Sequence, residues 1–161
     1  MTRIFLLATI IVIIFIGCDK AVPVRGACTY TPSTIKARPA EVTYLQNYVS
    51  TNGITAIQDT SGFFYNIAAP GAGTNPDVCS TVLVQYSGWL FNGFKFDESL
   101  GGTQFKLGGT IEGWQKAVPL LKPGGDITIY LPPSMGYDSV ATTKIPANSY
   151  LKFHIKLVAV E

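Results

Sequence analysis

Short segments in which apolar and polar residues alternate follow one another along the second half of the chain, separated by glycine or proline. Alternation is clearest at 127–131 and 151–157, where almost every second residue is Ile, Leu or Phe. Successive side chains of a strand point to opposite faces of a sheet, so these segments predict antiparallel strands buried on one face. Residues 63–67 and 82–86 are predicted to form two further strands, and the Asn-Gly pair at 92–93 predicts a tight hairpin turn.

One amphipathic helix is predicted ahead of the sheet, within residues 39–54. Val42, Leu45 and Val49 share one face of such a helix because of their spacing along the chain. The Asn-Gly pair at 52–53 favours a helix end there. The polar face lacks the Lys and Arg of a helix that lies on lipid, so we expect the apolar face to pack on the domain. Pairing with a partner helix stays open.

A second and shorter helix is predicted at 111–118, and Pro119 would end it. The predicted fold class is therefore α+β. It consists of a twisted antiparallel sheet, shaped as a half-barrel and wrapped on one short helix, with the N-terminal helix preceding it. We assign residues 55–161 to this domain and expect 18–38 to be a tether followed by an irregular segment.

The first residues have the pattern of an export signal. Arg3 supplies a positive start, and 4–16 is apolar except for one Thr. A membrane span needs about 20 apolar residues, so a signal peptide over 1–17 is favoured over a permanent span. The segment ending at Cys18 resembles a bacterial lipobox, in which the Cys is acylated, for example with palmitate, although Phe15 departs from the usual Leu. The sequence thus predicts a lipoprotein anchored through Cys18.

Length and charge restrict the function further. The chain has 161 residues, enough for a leader and one domain of ordinary size. Its 12 Lys and Arg against 10 Asp and Glu give a net charge of +2 without runs of one sign, so no nucleic-acid partner is predicted.

Two further cysteines, Cys28 and Cys79, follow the predicted leader. In an oxidising exported compartment a disulfide between them is favoured, and two free buried thiols are the alternative. His154 is the single histidine and lies at a polar position of an alternating strand. Neither a metal site nor a cofactor is predicted.

The motifs of the predicted domain resemble those of the FKBP family of peptidyl-prolyl cis/trans isomerases, over most of residues 55–161. They occur in the family's order: V-Q-Y-S-G at 84–88, N-G at 92–93, F-D-E-S at 96–99, L-G at 107–108, I-E-G-W at 111–114, L-K-P-G at 121–124, L-P-P at 131–133 and I-P at 145–146.

Aromatic residues on separate predicted strands and loops are expected to converge on Trp114 and form an apolar cup, which is a typical ligand site. The resemblance implies that this cup isomerises X-Pro bonds, with Trp114 as its floor. It also implies that the backbone N–H of Ile111 and the hydroxyl of Tyr137 hold the substrate carbonyls. The site residues carried over by position are Tyr86, Phe96, Asp97, Ile111, Trp114, Tyr137, Ile145 and Phe153.

The partners implied by the resemblance are proline-containing polypeptides and macrolide inhibitors of the tacrolimus or rapamycin type. With the leader and Cys18, this places the protein in the bacterial cell envelope, lipid-anchored on the periplasmic or outer face, where it would assist folding of exported proteins. A non-catalytic chaperone or binding module with the same cup is the alternative function.

Three positions depart from the family pattern. A shortened stretch after Asp97 puts Thr103 near a second family aromatic, Thr110 precedes Ile111 in place of an apolar residue, and Asp138 replaces a Gly. We expect these residues on the rim of the cup. No Arg occurs after Arg38, so the Arg that usually lies near Asp97 is replaced or absent.

Overall fold

Six strands form one antiparallel sheet in the computed structural model, which describes residues 28–161. The strands are β1 (Ile57–Gln58), β2 (Phe64–Ala69), β3 (Thr81–Leu90), β4 (Lys95–Lys106), β5 (Asp126–Leu131) and β6 (Leu151–Val160). Their order across the sheet is β1-β2-β5-β6-β3-β4. The predicted leader, Cys18 and the part of the predicted tether up to residue 27 lie outside the described residues.

β6 occupies the middle of the sheet, between β5 and β3. Its alternating pattern has the predicted effect, because Leu151, Phe153, Ile155 and Leu157 are buried. They share a core with the inward residues of the neighbouring strands. His154, on the other face, is exposed and lies 2.8 Å from Asp126.

Helix α1 (Pro39–Thr51) precedes the sheet, and the short helix α2 (Glu112–Ala117) follows β4. α2 packs on the core side, where Trp114 and Ala117 are buried among the strand residues. It is slightly shorter than predicted because Ile111 caps it with an extended backbone and Pro119 lies in a 3₁₀ turn directly after it. The predicted α+β class, with a helix on an antiparallel sheet, is confirmed.

α1 packs on the opposite face of the sheet. Leu45 and Val49 are buried there with Phe64 and Tyr130, which are register partners in β2 and β5. The apolar face therefore packs on the domain, as expected. Glu41 shares this burial although the apolar pattern did not indicate it.

Cys28 and Cys79 are joined by a disulfide, with their Cα atoms 5.6 Å apart. It connects the segment before α1 to the start of β3. Within residues 28–161 no helix has the length and apolar character needed to cross a membrane. The same residues contain no cluster of His, Cys, Asp and Glu suited to a metal ion.

Candidate active site

A cavity of about 320 Å³ opens beside α2, within the size range of small-ligand sites. Strands β3, β4 and β6, the turn before α2 and the loop after β5 all contribute to its wall. The lining residues are Tyr86, Phe96, Asp97, Phe105, Gly109, Thr110, Ile111, Trp114, Tyr137 and Phe153.

Three aromatic rings surround the indole of Trp114. Tyr86, Phe105 and Phe153 have ring centroids 5.1, 5.5 and 5.4 Å from that of Trp114, and each ring is nearly perpendicular to the indole. Edge-to-face contacts of this kind are favourable and hold each ring in one orientation. The Trp114 side chain is 5% exposed, so the floor of the cavity is rigid and apolar.

Phe96 completes this wall by standing edge-on to Phe153, with centroids 5.5 Å apart. Both rings lie over Gly88 in β3. A Cβ atom on Gly88 would be 2.6 Å from Cζ of Phe96 and 2.9 Å from Cε1 of Phe153. The wall therefore requires glycine at this position.

Asp97 is the acidic group of the cavity, and its partner is a tyrosine. The Tyr86 hydroxyl donates to Oδ2 of Asp97 at 2.7 Å, while the backbone N–H of Glu98 donates to Oδ1 at 2.9 Å. Burial, with this bond and the Asp97 charge, raises the pKa of Tyr86. Among the described residues, the hydrogen-bond partners of the Asp97 carboxylate are thus Tyr86 and the Glu98 N–H, and the Arg that the resemblance would place near it is absent.

The two donors to which the resemblance gives a role in substrate binding have no acceptor among the described residues. The Tyr137 hydroxyl is one, and the backbone N–H of Ile111 is the other. Burial, and then the charge of Asp97, raise the pKa of Tyr137 above its ordinary value. The Tyr137 hydroxyl therefore stays protonated near pH 7 and can donate a hydrogen bond.

Trp114 carries a third unpartnered donor, because its Nε1 is buried and has no acceptor within residues 28–161. The sequence motifs do not predict that this atom lacks a partner, because that depends on how deeply the whole side chain is buried.

The structure brings seven of the eight proposed site residues to the cavity wall; the exception is Ile145. Ile145 is 5% exposed and packs inside the core instead. Its backbone is held in a turn by Thr142, whose Oγ1 accepts from the Ile145 N–H at 3.0 Å and whose own N–H donates to the Ile145 carbonyl at 2.8 Å. This turn directs the side chain inward.

The rim also differs from expectation. Phe105 and Thr110 line the cavity, but Thr103 is exposed, outside the lining, and bonded to Ser99 Oγ at 2.8 Å. The reason is that the stretch after Asp97 is not a loop. It remains in β4, which pairs with β3 on both sides of a register shift.

Asp138 follows Tyr137 in a left-handed backbone conformation, with φ of +48°. Asp tolerates this region better than most residues, so the departure from Gly does not prevent the turn. The Asp138 carboxylate accepts a hydrogen bond from the Arg38 guanidinium.

Residues 73–158 match the family model described as FKBP-type peptidyl-prolyl cis-trans isomerase. FkpA of Escherichia coli strain K12, named as an isomerase of this type, is 31% identical over 121 residues, which are 73% of this chain and 44% of FkpA. The isomerase Mip of Coxiella burnetii is 36% identical over 105 residues, covering 63% of this chain and 46% of Mip. The chain therefore spans less than half the length of these relatives.

Solved structures give the same result for the fold. The crystal structure of FkpA from Escherichia coli superimposes with a TM-score of 0.68 at 30% identity, over 76% of this chain and 58% of that one. A peptidyl-prolyl cis-trans isomerase from Pseudomonas syringae pv. tomato gives a TM-score of 0.66 at 26% identity, over 80% and 99% of the two chains.

Proposed function

The chain belongs to the FKBP-type peptidyl-prolyl cis-trans isomerase family, and on that premise we propose that it isomerises X-Pro bonds in the cavity over Trp114. The observation that carries the proposal is the aromatic wall around Trp114 with free donors at its mouth. The pyrrolidine ring of proline is uncharged and rigid, so it suits an apolar cavity with a flat floor.

The reaction breaks no covalent bond, so the protein needs neither a nucleophile nor a proton-transfer group. Rotation about a peptide bond is opposed by a barrier of about 18–20 kcal/mol, which arises from resonance between the carbonyl and the nitrogen. A site that excludes water disfavours the polar planar amide relative to the twisted one. The buried indole and the surrounding rings provide such a site.

The donors at the mouth would position the substrate backbone. In the proposed complex the Ile111 N–H and the Tyr137 hydroxyl each donate to a substrate carbonyl, as the family resemblance implies. Holding the chain on both sides of the X-Pro bond favours the twisted state if the bonds are better aligned there than in the planar ground state.

Replacing Tyr137 by phenylalanine tests this assignment. We expect kcat/KM for an X-Pro peptide to fall about threefold to tenfold, because a neutral hydrogen bond contributes about 0.5–1.5 kcal/mol. A protease-coupled assay on the full chain measures the rate. Tyr44→Phe is the matched control, since Tyr44 is 49% exposed and stacks on Tyr150 outside the cavity.

A folded full chain that binds a proline peptide without accelerating its isomerisation would overturn the enzyme proposal and support the non-catalytic binding module. Equal rates for Tyr137→Phe and the wild type would remove Tyr137 from the mechanism while leaving the activity in place.

The same cavity is proposed to take macrolides of the tacrolimus or rapamycin type, which would then compete with the peptide.

We also propose that the protein acts on exported polypeptides in the cell envelope, anchored by lipid at Cys18. The disulfide supports an oxidising compartment. Metabolic labelling with a fatty-acid precursor should mark the wild type, while Cys18→Ala should lose most of the label. Equal labelling of the two proteins would exclude Cys18 as the acylated residue.

A further inference from the structure

The N-terminal end of α1 is attached to the loop that carries Tyr137. Glu41, in the first turn of α1, is 6% exposed. Its carboxylate accepts hydrogen bonds from Ser134 Oγ at 2.5 Å and from the Ser134 N–H at 3.3 Å. Hydrogen bonds to a buried charge are stronger than neutral ones. They fix the 3₁₀ turn Pro133–Met135, which directly precedes the Tyr137 turn.

Arg38 makes the second attachment. One guanidinium nitrogen lies 3.3 Å from Oε1 of Glu41, and the other donates to the Asp138 carboxylate. The Arg38 N–H also donates to Glu41 Oε2 at 2.9 Å. Arg38 is therefore held against the buried Glu41 while it bonds the residue that follows Tyr137.

Asp138 is well placed to transmit this contact, because its backbone closes the Tyr137 turn on both sides. Its N–H donates to the Pro133 carbonyl at 2.9 Å, and its own carbonyl accepts from Asn148 N–H at 2.6 Å. A Gly here, as the family pattern has it, would offer no side chain to Arg38.

The segment that presents Arg38 is itself tied down along its length. It begins at the disulfide to Cys79, and Tyr30 then covers Gly108, where a Cβ would lie 2.3 Å from the ring. Lys116 Nζ donates to the Ser33 carbonyl at 2.8 Å, and Ala37 N–H donates to the Ser61 carbonyl at 2.8 Å. Arg38 thus extends from a fixed backbone.

We propose that Arg38 is a positioning residue for Tyr137, which it holds toward the substrate through Asp138. This rests on the proposed isomerase function and deepens it, since it assigns part of the site to a residue a hundred positions away from Asp138 in sequence. Tyr137 is 37% exposed and its hydroxyl bonds no other described residue, so no hydrogen bond of its own holds the phenol and the turn sets the direction in which the side chain leaves the backbone.

The test is a mutant cycle in the full chain, read as kcat/KM for an X-Pro peptide. Small displacements of a positioning group cost rate, so Arg38→Ala and Asp138→Gly are each expected to lower kcat/KM about threefold to tenfold, mostly in kcat. The double variant should be no slower than either single variant, because the two substitutions remove the same contact between Arg38 and Asp138. In a Tyr137→Phe background, Arg38→Ala should change kcat/KM by less than about twofold.

A matched control and a readout other than activity accompany the cycle. His154→Ala removes a side-chain hydrogen bond with Asp126 on the face of β6 away from the cavity, and its kcat/KM should equal that of the wild type. Amide hydrogen exchange at 136–140 should become faster in Arg38→Ala and return toward wild-type values in Arg38→Lys, which keeps the charge.

The outcomes separate the two proposals. A slower Arg38→Ala that remains equally slower in the Tyr137→Phe background would overturn the positioning role and indicate general destabilisation. Unchanged exchange at 136–140 would overturn it as well. If the wild type itself has no isomerase activity, the proposed function fails, while the exchange measurement still decides whether Arg38 orders the turn.

Discussion

Replacing Gly88 by alanine is expected to lower kcat/KM for an X-Pro peptide about a hundredfold, since displacing reacting partners by about 1 Å can cost that much. The new Cβ would be 2.6 Å from Phe96 and 2.9 Å from Phe153, so both rings must move. They have little room to move elsewhere, because Phe153 also packs against Trp114. The rings would shift into the cavity or tilt out of the wall, and either change would disrupt the proposed proline site.

The same substitution is expected to lower the free energy of unfolding by about 1–3 kcal/mol, as overpacking of a core does. Gly101→Ala is the control, since a Cβ there meets no atom within 4 Å. A second substitution, Phe96→Leu, should return stability to the Gly88→Ala protein by making room, without restoring the aromatic wall. A folded Gly88→Ala variant with the wild-type rate would show that the rings over Gly88 do not shape the site.

Removing the disulfide with Cys28→Ser and Cys79→Ser is expected to lower the free energy of unfolding by about 4 kcal/mol, the loop-entropy value for the closed loop. The two cysteines are 51 positions apart, so the bridge restricts a long stretch of the unfolded chain. In a domain of this size the melting temperature should fall by roughly 10 °C, measured by calorimetry.

Activity should respond much less than stability to this change. α1 keeps its attachment through Glu41 to Ser134, and the Ala37–Ser61 hydrogen bond still holds the segment before it, so kcat/KM at 25 °C is expected to stay within about twofold of the wild type. Reductant should lower the melting temperature of the wild type and leave that of the double variant unchanged. A double variant with the same melting temperature as the oxidised wild type would contradict the stabilising role of the disulfide.

Local patterns predict most of the sheet and the floor of the cavity. The alternation in β6 predicts both its strand and its buried face, and the motif around Trp114 predicts the short helix that carries the indole. These features depend on residues close together in sequence, where strand and helix periods are directly visible. Ordered motifs then predict which strand faces meet at Trp114.

Contacts between distant segments could not be predicted in this way. Glu41 has a polar side chain at a position that the apolar pattern ignores, and its partner Ser134 is 93 residues later. Ile145 matches a family position, yet the turn with Thr142 directs it into the core. Thr103 depends on a register shift between β3 and β4, which is a property of two paired strands and leaves no mark in either one.

The order of the strands has a consequence for how the chain acquires its structure during synthesis. β6 follows the other five strands in sequence but lies between β5 and β3, so the sheet remains in two unjoined parts until residues 151–160 have been made. Pairing segments this far apart is slow, because a long loop must close before any contact forms. The complete six-stranded sheet can therefore form only after β6 has been synthesised, and β3 and β5 each lack a neighbouring strand until then.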